Sequence, residues 1–270
     1  MRLTPFQLAL GLWVITAREI AKFARQRERL LSSLVRPLLW LVVFASGLHD
    51  LLGVSIIPPY RTYTPYQEYI LPGLIGMVVL FQSMQSALSL VYDREVGVMR
   101  VMLVTPLPRP FILFAKILAA TVLALLQVAI FLAVAAAVGI SLPLRTLVLI
   151  VPAIVLSGLM LGSIGLVVSV YTRQIENFAG MMNFVIFPMF FLSSALYPLW
   201  KLREAGVQVI FHIASWNPFT HAVELVRFAA YGQFNGLACA VVAGTGLAAF
   251  ALAVRGYNPL IGTFGQIRRE

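Results

Sequence analysis

Apolar residues along this chain come in long unbroken runs, without the alternation of a half-solvated strand. Six runs approach the roughly 20 residues that a bilayer core demands of a helix. They are Leu34 to Leu52, Ile70 to Tyr92, Ile117 to Ile140, Leu147 to Val170, Phe178 to Tyr197 and Leu237 to Val254. Lipid offers backbone N–H and C=O groups no partner, so each run is expected to pair them within its own helix. Turn chemistry separates the runs: Pro58-Pro59, the cluster Pro106, Pro108 and Pro110, then Pro143, and Asn217-Pro218.

Two segments have a different pattern. In residues 1–33, Phe6, Leu10, Trp13, Ala17, Ile20 and Ala24 recur at spacings of four and three, with Arg18, Lys22, Arg25 and Arg29 roughly opposite. This predicts a helix in the headgroup layer, apolar face down and basic face towards anionic lipid. A soluble helix packed on a partner fits the same pattern. Pro5 to Ile15 is too short to span, and basic residues follow it where a signal peptide would have its cleavage site. The second segment, about 198–236, is mildly apolar and amphipathic. Asn217 as cap and Pro218 at the first helical position open a helix towards Gly232. At only about 24 Å, it predicts one or two re-entrant or interfacial helices before the last span. The expected fold is therefore an all-α membrane protein: an interfacial helix in 1–33, then a six-span domain in 34–270.

Composition agrees. The chain is 60% hydrophobic and 11% charged, against about 25% charged in soluble domains. Its net charge of +10 reads as topology. Arg61, Arg145, Lys201, Arg203 and Arg227 fall on one side, and the other 15 of the 20 basic residues on the opposite side. The positive-inside rule then puts both termini in the cytoplasm. No basic run is interleaved with stacking aromatics, which argues against nucleic acid. The single cysteine, Cys239, excludes an intramolecular disulfide or a Cys-based metal site and is expected in the last span.

Candidate chemistry is sparse. Arg36 and Lys116 lie near cytoplasmic span ends, where long side chains are expected to snorkel. No ionisable residue falls near the middle of a span, against the coupling-ion sites of secondary transporters and pumps. Lys22, Lys116 and Lys201 follow Ala, Ala and Trp, so no phosphate-binding loop exists. There is no GxSxG elbow or HExxH pair either, and the chain reads as a non-enzyme. Of His212, His221 and Glu224 only the last two share helical spacing, a third metal ligand is missing, and all three read as interfacial polar residues. Gln82, Gln85 and Gln127 either line a substrate path or bond across helices. Gly158 and Gly162 permit close helix approach, within one subunit or between two.

The most specific stretch is Asp93-Arg94-Glu95-Val96-Gly97-Val98-Met99-Arg100-Val101-Met102-Leu103-Val104-Thr105-Pro106-Leu107-Pro108-Arg109. Acidic residues suit a helix start, Val98, Val101, Met102 and Thr105 share a face, and prolines end it. A helix over about 93–105 is predicted. Amphipathicity alone would make it an ordinary loop helix lying on the membrane. Asp-Arg-Glu-x-Gly, a short helix, Thr-Pro-x-x-Arg and then Lys116 together resemble the ABC-2-type transporter permease family. So do the six-span plan, the interfacial helix, the long loop before the last span and Asn217-Pro218-Phe219-Thr220-His221-Ala222-Val223-Glu224. Asn177 to Pro188, with Ser194 to Pro198, is similar to the drug and nodulation-factor exporter branch. The whole chain also looks like permeases that accompany pyrroloquinoline-quinone alcohol oxidation systems.

The resemblance implies that the loop helix is a coupling helix docking into a separate ABC ATP-binding subunit. Asp93, Arg94, Glu95, Gly97, Met99, Arg100 and Met102 would form the contact, with Gln174, Glu176 and Asn177 as a smaller one. It implies ATP and Mg bound by that partner, no cofactor in this chain, and a second permease subunit, identical or homologous. It also implies the bacterial inner membrane and export of an amphipathic or lipid-linked cargo. The rival readings are an ATPase-independent channel or secondary transporter, and a membrane assembly scaffold.

Overall fold

The computed structural model describes residues 4–25, 35–43, 53–54, 59, 64–98, 107–137, 139–140, 142–172 and 174–257. The helices are α1 (Pro5–Arg25), α2 (35–43), α3 (Tyr66–Glu95), α4 (Arg109–Ala137), α5 (Leu144–Tyr171) and α6 (Ile175–Phe191). Three short helices follow, α7 (Leu199–Glu204), α8 (Gln208–Trp216) and α9 (Pro218–Ala230), and then α10 (Gly236–Gly256). Among the described residues the one strand pairing is a two-residue antiparallel ladder, β1 (Gly53–Val54) with β2 (Thr64–Pro65).

Among the described residues four helices are long and apolar enough to cross a membrane: Glu68–Glu95, Arg109–Ala137, Leu144–Tyr171 and Gly236–Gly256. They correspond to the expected second, third, fourth and sixth spans. Of the first, Leu34 to Leu52, only α2 lies within the described residues. The third begins at Arg109 instead of Ile117, because Pro110 suits a first helical turn and leaves no i−4 bond missing. The fifth stops at Phe191, short of Tyr197. Asn217 contributes to that stop: its Nδ2 donates to the carbonyls of Met189 (2.8 Å) and Leu192 (2.6 Å), satisfying groups the helix end leaves orphaned. Its Oδ1 accepts from Phe219 N at 2.9 Å and caps α9. One side chain thus ends one helix and starts another. Asn217→Asp should keep the α9 cap and lose the donor, and Asn217→Ala should lose both. Thermal unfolding in detergent should show a smaller drop for Asp than for Ala, the latter costing about 1–2 kcal/mol.

The bundle is built on α3 and α5. α5 packs against α3, α4, α9 and α10. A Cβ on Gly158 would lie 2.9 Å from Thr121 Cγ2, and one on Gly162 would lie 2.8 Å from Ile117 Cγ2. These small residues therefore serve close packing of α5 on α4 within one subunit. α3 is buried along Ile70, Leu74, Ile75, Leu80 and Met84.

At the α3 N-terminal end, the turn after α6 and helix α9 are fastened to α3. Tyr66 donates to the Leu196 carbonyl at 2.5 Å and Tyr69 to that of Ser194 at 3.0 Å. Arg227, 2% exposed, donates to the same Ser194 carbonyl at 2.9 Å, pairs with Glu224, and stacks over the Tyr69 ring at 4.1 Å. The expected one or two helices before the last span are three. α9 is largely buried, whereas α8 exposes Val209, Ile213 and Trp216 on one face.

Candidate functional site

At the opposite end of the bundle, three consecutive residues finish α3. Successive side chains on a helix turn by roughly 100°, so Asp93, Arg94 and Glu95 face three different neighbours.

Asp93 is 1% exposed. Its Oδ2 accepts from Lys116 Nζ on α4, while Oδ1 faces Arg18 at 3.3 Å and Lys22 at 3.5 Å, both on α1. Lys116 also meets Glu19 at 3.4 Å, and Lys22 donates to Ser89 Oγ at 2.8 Å. A buried carboxylate demands such compensation. Arg94 donates to the carbonyls of Ser169 (3.1 Å) and Thr172, the unpaired C-terminal end of α5, where a cation is favoured. Glu95 Oε1 accepts from Ile175 N at 3.0 Å, the first amide of α6. A carboxylate there satisfies an orphan donor and the helix dipole together. Gly97, at φ +78°, lies just past the helix end, where a left-handed residue closes an α-helix. Its N–H bonds the Arg94 carbonyl at 3.3 Å. The Asp-Arg-Glu-x-Gly motif is therefore a helix terminus that fastens α1, α4, α5 and α6 to α3. Tyr257, just beyond α10, lies buried beside Arg94, and burial pushes its hydroxyl up to about 12, so it stays neutral there.

Several expectations change. Asp93, Arg94 and Glu95 belong to α3 and do not open the loop helix, because Gly97 interrupts the helical path. Asp93 and Arg94 are buried against other helices, so neither offers a surface to a docking partner. Glu95 is exposed and Gly97 half-buried. Met99, Arg100 and Met102, with most of the expected helix over 93–105, lie outside the described residues. Lys116 does not snorkel: it lies two turns inside α4 with its side chain 8% exposed, held by Asp93 and Glu19. Arg18 and Lys22 turn inwards to Asp93 instead of facing headgroups, although Phe6, Leu10 and Trp13 are exposed as an apolar face should be.

Gln82 and Gln127 are buried (2% and 1% exposed), Gln85 is half-buried, and none of the three lines either large cavity. Gln82 donates to Ser86 at 3.2 Å. His221 bonds the Ser215 carbonyl at 3.1 Å, and Glu224 pairs with Arg227. Gln174, Glu176 and Asn177 are exposed beside the Glu95 contact. The members that sequence reasoning missed are Arg18, Glu19, Lys22 and Lys116. The available signal was an acid at the end of an apolar run, which requires a counter-charge.

A helical bundle of this hydropathy is a multi-pass membrane protein. The chain belongs to the ABC-2 type transporter family, whose model matches residues 11–231. It is 30% identical over 233 residues to a protein of Cyanophora paradoxa named as a transport permease, ycf38, covering 83% of this chain and 76% of that one. A ycf38 relative from Porphyra purpurea is 29% identical over 207 residues, 76% of this chain and 68% of the relative. Nodulation protein J of Rhizobium leguminosarum bv. viciae is 35% identical over 82 residues, 30% of each chain.

Proposed function

We propose that the chain is the permease subunit of an ATP-driven exporter in the bacterial inner membrane, with both termini cytoplasmic. A separate ABC ATP-binding subunit holds ATP and Mg, and a second permease subunit, identical or homologous, completes the pathway. The cargo is amphipathic or lipid-linked and leaves the cytoplasm or inner leaflet. The observation that carries this reading is the α3 terminus. The docking loop begins at Gly97, separated by Val96 alone from Asp93, Arg94 and Glu95, which are bonded to α1, α4, α5 and α6. A displacement applied beyond Gly97 is passed to all of them, which suits a chain without a nucleotide site of its own.

Glu95, Gly97, Met99, Arg100 and Met102 form the docking contact, while Asp93 and Arg94 position it from within. Affinity purification from the native membrane should recover an ATP-binding subunit with the wild-type chain. Glu95→Arg and Met102→Asp should each lower that recovery by roughly tenfold, while Glu95→Gln, which still accepts from Ile175 N, should retain the chain's own stability. Recovery of the intact chain with no ATP-binding subunit, or undiminished recovery with both variants, would overturn the assignment.

A further inference from the structure

At the end opposite the charged junction, α4 and α5 separate. They touch at Gly158 and Gly162, but towards their connecting turn Leu125, Val128, Leu132, Leu147 and Val151 hold them apart around a cavity of ≈ 290 Å³ with an apolar lining. It runs along α4 from Leu125 to Ala136, about 16 Å at the helical rise and close to the roughly 15 Å depth of one leaflet's hydrocarbon. Ile140, Leu142 and Ile150 also line a second cavity of ≈ 520 Å³, bounded by the start of α3, the α4–α5 turn and the end of α9. Among the described residues Glu68 is the one charged side chain lining that second cavity. It forms no ion pair with another described residue. Thr146, whose hydroxyl donates to the Ala230 carbonyl at 3.3 Å, and Tyr231 add polar edges.

An apolar slot one leaflet deep, opening into a wider chamber that among the described residues is lined by one carboxylate, matches an amphiphile in shape and complements a cationic head in charge. We propose that the two cavities form one binding site for an amphiphile with an ammonium head. The acyl chain lies along α4 between Leu125 and Ala136, and the ammonium group meets Glu68. Every described side chain lining the slot is apolar, so an acyl chain fills it without displacing hydrogen-bonded water. The Glu68 carboxylate selects a cation over an anion of equal chain length. This site depends on the chain being a membrane protein and not on its coupling to ATP. Two sources carry the same chemistry: a bilayer aminophospholipid, and a single-chain amine.

The test uses the full chain in vesicles containing photoactivatable phosphatidylethanolamine, with phosphatidylglycerol of the same acyl chains as comparison. Labelling should fall in residues 125–136 or 147–154 and favour the ethanolamine probe. Glu68→Gln should reduce that preference roughly fivefold, as the loss of an exposed ion pair allows. Ala133→Trp should block labelling by filling the slot. Should that variant fail to fold, Glu68→Gln, at an exposed position, still decides the outcome. Competition with dodecylamine assigns the source. Displacement of the probe shows a site for amine amphiphiles in general, and no displacement shows one for glycerophospholipid. Equal labelling by both probes that Glu68→Gln leaves unchanged overturns the assignment of Glu68. Absence of label from both helical segments overturns the site.

Discussion

Asp93→Asn is expected to destabilise the protein by about 3–5 kcal/mol, the cost of leaving a buried charge without its partner. The charge stranded is Lys116, whose side chain is 8% exposed and keeps only Glu19 at 3.4 Å. Arg18 and Lys22, at 37% and 28% exposure, can turn to solvent and add little to the loss. The same substitution releases α1, which packs on α4 and buries Ile15 and Phe23. Hydrogen exchange should therefore rise first in α1, and the unfolding midpoint in detergent should drop. Replacing both partners, Asp93→Leu with Lys116→Leu, should restore much of the midpoint, because an apolar pair of similar volume needs no compensation. A double variant as unstable as the sum of the two single ones would falsify the pairing.

Gly73→Ala should be nearly as damaging, through a different mechanism. A Cβ there would stand 2.3 Å from the Ala195 carbonyl oxygen and 2.8 Å from its carbon. The obstacle is backbone, and it is held: Ala195 N donates to Ser193 Oγ at 3.2 Å, and the adjoining Ser194 carbonyl accepts from Tyr69 and Arg227. One turn on, Gly76 is closed in by Val223 and Phe219, so α3 cannot tilt away cheaply. Overpacking of this kind costs about 1–3 kcal/mol and sometimes more, and the upper end applies where no side chain can yield. Gly180→Ala provides the comparison. Nothing lies within 4 Å of a Cβ there, and alanine gains up to about 1 kcal/mol in helix propensity. A lower midpoint for Gly73→Ala beside an unchanged or higher one for Gly180→Ala is the expected pair. Equal effects would refute the close contact between α3 and the 192–197 turn.

Hydropathy alone located the long helices, since a bilayer imposes a length and an internal hydrogen-bonding rule that any 20-residue apolar run must obey. The caps were equally legible. Asn217-Pro218 opens α9 as its residue types require, and Phe6, Leu10 and Trp13, spaced to share one helix face, are all exposed. These are local properties, encoded within a few turns of chain.

Which charge meets which was not local. Asp93 finds Lys116 across 23 residues and Arg18 across 75, and nothing in the spacing of either pair specifies the meeting. Lys116 read as a snorkelling side chain and Arg18 as a lipid contact because each is ordinary in its own segment. Only the packing of α1 and α4 against the end of α3 turns both inwards. The run Asp-Arg-Glu-x-Gly was visible in the sequence as a pattern. Its physical content, one helix end closed by a left-handed glycine and bonded to four other helices, was set by tertiary structure, because a buried carboxylate is tolerable only where distant segments bring it positive charge.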